Sequence, residues 1–241
     1  MSYKRIVLKL SGETLAPAGI PANKSASLTF DAARVDRAAE AIVKLHDLGV
    51  QVGIVMGGGN IWRGRFTDEF IAELADQMGM LATVINALAV QDAIIRMGRK
   101  ATVFTPQEMT RFAEHYRADR AIEKMDEGHI VLFAGGSGNP FFTTDTAAVL
   151  RAAEIKADAV FKGTTVNGVY DSDPNKNPDA KFIPEISYQE CVEKGLKVMD
   201  TAAFQLCKDQ KIPCIRIFNM DDLDNIIRVA QGEAIGTVVH A

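Results

Sequence analysis

The 241-residue sequence has few cysteines, no excess of positive charge and no long apolar run. Only three cysteines occur, at Cys191, Cys207 and Cys214, so they cannot all pair, and their spacing matches no metal-binding motif. We interpret them as structural residues. Cysteine usage of this kind is typical of a reducing compartment, and we expect a cytoplasmic protein.

Positive charge is not in excess. The chain has 27 lysine and arginine residues against 31 aspartate and glutamate residues, which gives a formal net charge of −4. We therefore expect no general attraction to nucleic acid or to an anionic membrane, so any anionic ligand must be held by a local site. No window approaches the apolar length of a membrane span, and the N-terminal apolar run Ile6-Val7-Leu8 is too short for the core of a signal peptide.

Several catalytic and nucleotide-binding motifs are also missing. The sequence has no P-loop spacing G-x-x-x-x-G-K-[ST], no G-x-G-x-x-G after the first predicted strand and no G-x-S-x-G nucleophile elbow. Its four histidines are scattered, without the spacing of a metal site or a catalytic pair. These absences exclude P-loop and Rossmann nucleotide binding and argue against hydrolases and metalloenzymes.

What the sequence contains is an alternation of short β-branched runs with longer segments of helical period. This alternation predicts a single α/β domain, a three-layer αβα sandwich with a central, mostly parallel sheet, and 47% apolar residues are enough for its core. Strands are predicted at about residues 4–10, 51–56, 101–104, 129–134, 158–162, 214–218 and 236–239. Helices are predicted at 31–48, 68–97 (two helices broken near Gly79), 107–127, 143–156, 187–193, 200–210 and 221–231.

Two long polar segments, 13–30 and 163–184, interrupt the alternation. Long loops in compact domains are often functional. Within the second segment, Asn167-Gly168 is flanked by apolar residues and predicts a hairpin.

Residues suited to phosphate follow four of the predicted strands. They are Lys9-Leu10-Ser11-Gly12, the turn Gly57-Gly58-Gly59 with Arg63 four residues on, the run from Gly135 to Asp145, and Lys162. Glycine lets an anion approach backbone N–H groups, lysine and arginine neutralise its charge, and a helix N-terminus adds a positive dipole end. Because the carboxyl ends of parallel strands share one edge of a sheet, we expect these groups to face one crevice.

Each of these features, taken alone, has a structural alternative. Lys9 could be a surface lysine and the triple glycine a plain turn. Asp145 could serve only as a dipole partner of its own helix, and the segment 163–184 could be a structural hairpin. Their convergence on one edge of the sheet favours the phosphate site.

Five segments together resemble the bacterial uridylate (UMP) kinases of the amino-acid kinase family, and the resemblance spans nearly the whole chain. They are Lys9 to Gly12, Gly57 to Gly64, Asp76 to Thr83, Gly138 to Asp145, and Lys197 to Asp200. The run Gly-Asn-Pro-Phe-Phe-Thr-Thr-Asp is highly specific within this fold, whereas the lysine and the triple glycine are shared with acetylglutamate and aspartate kinases.

The resemblance implies an enzyme that transfers the γ-phosphoryl group of ATP to UMP in pyrimidine nucleotide biosynthesis, with Mg²⁺ accompanying ATP. It implies one domain over residues 1–241, with an acceptor-binding part at roughly 1–150 and an ATP-binding part at roughly 151–241. The implied catalytic residues are Lys9, Arg63, Asp145 and Lys162.

The resemblance also implies a set of ligand contacts. Those for ATP are Lys9, Leu10, Ser11, Gly12, Gly59, Arg63, Thr164, Tyr170 and Asp173. Those for UMP are Gly58, Asp76, Ser137, Gly138, Asn139, Pro140, Phe141, Phe142, Thr143 and Thr144, with Arg63 near the transferring group. No residue is expected to bind the metal directly, and Asp200 is the one candidate near it.

Assembly and regulation follow from the resemblance as further expectations. The family is typically hexameric, and the apolar segment 78–90 is either a subunit contact or a core helix. UTP is an expected feedback inhibitor, because it could occupy the UMP pocket. The loop from Leu15 to Phe30 is longer and less glycine-rich than in well-known members, which does not favour activation by GTP.

Two other functions compete with this one. A kinase for a small carboxylate such as acetylglutamate would need carboxylate-binding arginines near Asp76 and residues 139–144, and the sequence has no such set. A regulator that binds nucleotide without turnover would not need the complete set of implied catalytic residues, which is present.

Overall fold

A computed structural model describes residues 3–17, 30–62, 70–196 and 198–241 of the protein. The strands are β1 (Arg5–Leu10), β2 (Gln51–Met56), β3 (Lys100–Thr105), β4 (Glu114–His115), β5 (His129–Phe133), β6 (Ala159–Thr164), β7 (Val169–Tyr170), β8 (Phe182–Ile183), β9 (Glu185–Ser187), β10 (Cys214–Asn219) and β11 (Thr237–His240). The helices are α1 (Ala32–Asp47), α2 (Ala72–Arg96), α3 (Ala118–Asp126), α4 (Thr144–Glu154), α5 (Tyr188–Glu193), α6 (Thr201–Asp209) and α7 (Asn225–Ala230), with a 3-10 turn at Gly12–Leu15.

Nine strands form one sheet in the order β4-β3-β5-β2-β1-β6-β10-β11-β9. All neighbouring pairs are parallel except β10 and β11, so β11 and β9 run against the other seven strands. The predicted mostly parallel sheet is therefore confirmed. The short strand β9 and its pairing with β11 were not predicted.

The sheet is covered on both faces, because side chains along a central strand alternate between two apolar cores. Ile6 and Leu8 of β1 join a cluster with residues of α1, α2 and α7. Val7 points to the opposite face, into a cluster with residues of α3, α4, α5 and α6. The period of two along the strand thus builds the three layers of the predicted αβα sandwich.

Two predicted helices differ from the structure. The segment predicted as two helices broken near Gly79 is the single helix α2. A mid-helix glycine costs only about 1 kcal/mol, which the packing of a 25-residue helix outweighs. The helix predicted at 107–127 is helical only from Ala118, because residues 114–115 pair with the end of β3 as the edge strand β4.

The hairpin predicted in the segment 163–184 exists, but Asn167-Gly168 is not its turn. Strands β7 and β8 pair antiparallel across the intervening residues 171–181, and Asn167-Gly168 precedes β7. The hairpin is fastened to the main sheet by Thr237, whose hydroxyl accepts from the Val169 N–H at 2.8 Å and donates to the Ile183 carbonyl at 2.5 Å. Tertiary hydrogen bonds, and not local turn chemistry, fix its register.

Helix α2 contradicts the expectation that no segment approaches a membrane span, because it is long and apolar enough by length and composition alone. Within its most apolar window, 44% of the residues are buried inside the protein. A helix that packs in a protein core can have the same length and apolar composition, so this single helix is weak support for a membrane location.

We predict that Thr237→Val destabilises the protein through the hairpin. The Val169 N–H and the Ile183 carbonyl lose their partner, which should cost about 1–3 kcal/mol. Calorimetry should show a Tm lowered by about 2–4 °C for each kcal/mol. Hydrogen–deuterium exchange should be faster at residues 169–183.

The matched control is Thr102→Val, since the Thr102 hydroxyl bonds to His129 Nδ1 on another part of the sheet. This variant should leave exchange in the hairpin unchanged. If residues 169–183 exchange their amide hydrogens at the same rate in Thr237→Val and Thr102→Val, the role assigned to Thr237 is contradicted.

Candidate active site

The four strands that carry the predicted phosphate-binding residues are neighbours in the sheet, in the order β5-β2-β1-β6. They are mutually parallel, so the residues that follow them meet at one edge, as predicted. Lys9 and Lys162 stand directly opposite each other in the β1–β6 register. In-register side chains project on the same face of a sheet, and this brings the two ammonium groups together.

Both lysines converge on one carboxylate at the start of α4. Asp145 Oδ1 lies 3.2 Å from Lys9 Nζ, and Asp145 Oδ2 accepts a hydrogen bond from Lys162 Nζ. The exposed fractions of the three side chains are only 9–14%. Two cations therefore share one contacting carboxylate in a site largely closed to water, and the carboxylate of Asp200 is a further negative charge that acts on Lys162.

The pKa directions follow from this charge balance. Burial opposes ionisation of Asp145, but the ammonium groups of Lys9 and Lys162 outweigh it and hold the pKa of the carboxyl below its ordinary value. Burial lowers the pKa of Lys162, and the neighbouring Lys9 adds to this, although Asp145 opposes both. An anion bound here would stabilise the ammonium form of Lys162.

Threonine hydroxyls hold the start of α4 in place. Thr143 is the N-cap, and its hydroxyl oxygen accepts from the backbone N–H groups of Asp145 and Thr146. The Thr143 and Thr146 hydroxyls in turn donate to the carboxylate of Asp200, which caps α6 by accepting from the Ala203 N–H at 2.8 Å. Asp200 thus ties two helix starts together beside the lysines, and its suggested metal role stays a prediction.

The triple-glycine turn lies against the end of β1. The Gly57 N–H donates to the Leu10 carbonyl at 2.7 Å. A Cβ on Gly12 would come within 2.2 Å of Asn60 Oδ1 and 3.0 Å of the Gly57 carbonyl, so any larger residue there would displace the Asn60 side chain. The two predicted phosphate segments after β1 and β2 therefore form one packed unit.

A cavity of about 300 Å³ opens beside this unit. Six of the residues implied for UMP line it: Gly58, Asp76, Ser137, Asn139, Phe142 and Thr144. Asp76 also accepts a hydrogen bond from the Phe141 N–H at 2.6 Å, and Phe141 adopts the left-handed backbone region with φ of 71°. Helix α2 thus fixes the shape of the turn that the specific sequence run forms.

A larger cavity of about 930 Å³ is lined by both lysines. Six of the residues implied for ATP line it, together with the implied catalytic residue Lys162: Lys9, Leu10, Ser11, Thr164, Tyr170 and Asp173. Glu13 lines both cavities, which therefore adjoin at the 3-10 turn. Gly12 and Gly59 lie in the two turns but not on the cavity walls.

Several lining residues were not identified from the sequence. They are Glu13, Trp62, Met80 and Thr83 at the smaller cavity, and Glu13, Thr14, Arg34, Lys194 and Asp221 among those at the larger one. Arg34 had a usable signal, because a cation in the first turn of a helix opposes the helix dipole and suggests another partner. Thr83 had no such signal, since a threonine inside an apolar helix is common.

Arg63 and Lys197 lie outside the described residues.

The sequence and the fold of this chain match known proteins. The model of the amino acid kinase family matches residues 4–219. A crystal structure of UMP kinase from Bacillus anthracis is 36% identical, covers 100% of this chain and 97% of its own, and superposes with a TM-score of 0.92. A UMP kinase from Ureaplasma parvum is 34% identical over 100% of both chains, with a TM-score of 0.90. A uridylate kinase from Archaeoglobus fulgidus is 26% identical over 97% of this chain and 99% of its own, with a TM-score of 0.70.

The charge balance of the site generates a prediction. Asp145→Asn removes the carboxylate that contacts both lysines, so the pKa of Lys162 should fall further below the ordinary lysine value. The ammonium form should then be lost at a lower pH than in the unmodified protein. Side-chain ¹⁵N NMR during a pH titration measures this directly.

Asp173→Asn is the matched control, because Asp173 Oδ2 pairs with the exposed Lys176 at 3.7 Å, away from Lys162. It should leave the Lys162 titration unchanged. A Lys162 pKa that stays constant or rises in Asp145→Asn would show that the carboxylate does not set it.

Proposed function

The chain belongs to the amino acid kinase family and, within it, groups with the UMP kinases; we propose that it transfers the γ-phosphoryl group of ATP to UMP, producing UDP and ADP. The observation that carries this proposal is the pair of cavities that adjoin at Glu13 beside the Lys9–Asp145–Lys162 cluster. Two anionic substrates in these cavities would bring their phosphates to one positively charged junction.

The reaction does not require a covalent bond between the protein and either substrate. The acceptor is already an anionic phosphate oxygen, so no side chain has to deprotonate it and no covalent intermediate is required. The barrier comes from holding two mutually repelling anions in line. Catalysis should therefore depend on positioning and on cations over the transferring group.

We assign the larger cavity to ATP. Lys9 and Lys162 neutralise charge on its phosphates, and Asp145 orients both ammonium groups through the contacts described above. The other residues that we propose to contact ATP are Leu10, Ser11, Gly12, Gly59, Thr164, Tyr170 and Asp173. The cavity volume of about 930 Å³ is ample for a nucleotide.

We assign the smaller cavity to UMP. Gly58 offers its backbone to the phosphate, Asp76 accepts from the ribose hydroxyls, and the run Ser137 to Thr144 encloses the uracil and the phosphate. Arg63 is proposed to lie near the transferring group, where its planar guanidinium can bind two phosphate oxygens at once. The acceptor part is then formed by residues of roughly 1–150 and the donor part mostly by residues of roughly 151–241.

Mg²⁺ is proposed to arrive with ATP and to neutralise charge on its phosphates. Within the described ranges, no group of three or more histidine, cysteine, aspartate or glutamate side chains could hold a metal ion. We propose that the ion is held mainly by phosphate oxygens and water, as is usual for Mg²⁺ at nucleotide sites. Asp200 is the carboxylate that could contact its water shell, although two threonine hydroxyls and a backbone N–H already occupy it.

The remaining proposals concern location and regulation. We propose a cytoplasmic enzyme that UTP inhibits, because a uridine triphosphate in the smaller cavity could extend its phosphates toward the larger one. Activation by GTP is not favoured by the composition of the loop 15–30. Most of that loop, residues 18–29, lies outside the described residues.

We propose that the chain assembles into a homohexamer through α2. Its inner face is buried, whereas five large apolar side chains of residues 71–85 are 37–67% exposed: Ile71, Leu74, Met78, Leu81 and Ile85. Their spacing of three and four residues forms one stripe along the helix. A contiguous exposed apolar stripe is typical of a contact between subunits, and a second copy of this chain supplies a matching one.

The function is tested by a coupled assay for ADP with ATP, Mg²⁺ and, separately, UMP, CMP, AMP and N-acetylglutamate. We expect turnover with UMP. We also expect Asp76→Asn to raise the KM for UMP by about tenfold with little change for ATP, because it weakens a charge-assisted contact to the acceptor alone.

Glu73→Gln is the control, since Glu73 lies on the same helix but not on either cavity wall. It should leave both KM values unchanged. Turnover confined to a carboxylate acceptor would refute the proposed function, and tight UMP binding without turnover would indicate a regulator.

The assembly is tested by Leu81→Glu combined with Ile85→Glu. Charges in the apolar stripe should prevent subunit contact, so light scattering after gel filtration should give a smaller mass than for the unmodified protein. Phe112→Glu is the control, because Phe112 is 65% exposed outside the stripe. An unchanged mass in the double variant would exclude this face of α2 as the contact.

A further inference from the structure

Asn86 lies fully buried on α2, next to the triple-glycine turn. Its Nδ2 donates to the Gly57 carbonyl at 2.6 Å and to Asn60 Oδ1 at 2.8 Å. Its Oδ1 accepts from Asn60 Nδ2 at 3.1 Å. Because the Gly57 carbonyl can only accept, the amide nitrogen of Asn86 must face it, which fixes the orientation of the amide group.

This reciprocal amide pair lies at the junction between the two proposed substrates. Asn60 Oδ1 packs directly against Gly12, where even a Cβ would come within 2.2 Å. Gly57 is bound on its other side to the end of β1 through the Leu10 carbonyl. The amide pair therefore connects α2, the turn after β2 and the turn after β1.

The hydrogen bond to Gly57 determines where the next N–H points. The protein has no cis peptide bond among its described residues, and a planar trans peptide directs its C=O and N–H in opposite directions. With the Gly57 carbonyl held by Asn86, the Gly58 N–H points away from that side chain. Within the described part of the chain, this N–H donates to no protein group, and Gly58 lines the smaller cavity.

We propose that Asn86 is a positioning residue for phosphoryl transfer. By fixing the Gly57–Gly58 peptide, it aims the Gly58 N–H at the acceptor phosphate before substrate binds, so that no reorganisation is needed at the moment of reaction. The role needs a side chain that donates twice and accepts once. An aspartate carboxylate cannot donate to the Gly57 carbonyl, and a leucine side chain can neither donate nor accept a hydrogen bond. This inference rests on the proposed function.

The test compares steady-state kinetics of Asn86→Leu and Asn60→Ala, measured well below the Tm of each variant. Asn86→Leu should lower kcat by about tenfold or more, as expected when a hydrogen bond that positions the reacting groups is lost. Asn60→Ala should lower kcat less, because Asn86 keeps its bond to Gly57. Equilibrium affinity for ATP should be nearly unchanged in both.

Gln91→Leu separates positioning from general stability. Gln91 is a partly buried amide on the same helix and donates to the carbonyl of Ala101 in β3 at 3.1 Å. It should lower Tm while leaving kcat unchanged.

Three results would overturn the inference. One is an unchanged kcat in Asn86→Leu, and another is a kcat loss in Gln91→Leu that matches that of Asn86→Leu at equal loss of Tm. If Asn86→Leu does not fold, an unchanged kcat in Asn60→Ala overturns it. An unmodified protein that does not phosphorylate UMP would refute the proposed function and, with it, this inference.

Discussion

Two ammonium groups largely shielded from water share a single contacting carboxylate at the carboxyl edge of the sheet, and the larger cavity opens directly onto both of them. The parallel register of β1 and β6 places Lys9 and Lys162 side by side, and Asp145 lies in the first turn of α4, where it contacts both. Charge in a site largely closed to water is costly when unpaired. An anion bound beside both lysines would add a further partner for their charge, which suits the proposed phosphoryl-transfer site.

Helix α2 holds the turns that lie beside this charged cluster. Three of its polar side chains each hold one element of the proposed phosphate-binding edge. Asp76 accepts from the Phe141 N–H, the Thr83 hydroxyl accepts from the Gly135 N–H at 2.8 Å, and Asn86 holds the Gly57 carbonyl. The outer face of the same helix carries the exposed apolar stripe. A subunit bound to that stripe would contact the helix that shapes both turns, so the proposed subunit contact and the proposed acceptor site would share one helix.

The fold could be predicted from the sequence because its signals are local and repeated. A period of two in β1 and the alternation of strands with helices are sufficient for a parallel sheet covered on both faces. The errors arose where tertiary contacts outweigh local preference. Gly79 does not break α2, the segment before Ala118 is not helical, and Asn167-Gly168 is not the turn of its hairpin. The apolar length of α2 was also underestimated.

The sequence by itself determined which residue types follow which strands: a lysine, three glycines, a threonine-capped aspartate and a second lysine. Because parallel strands share one carboxyl edge, it also determined that these groups would meet. Only the tertiary structure decided how they contact one another. That Lys9 and Lys162 bind the same carboxylate, and that Asn86 fixes the glycine turn, depends on strand register and on packing between elements far apart in the chain. A linear pattern does not encode such distances, since hydrogen-bond geometry is set by where α2 and α4 pack on the sheet.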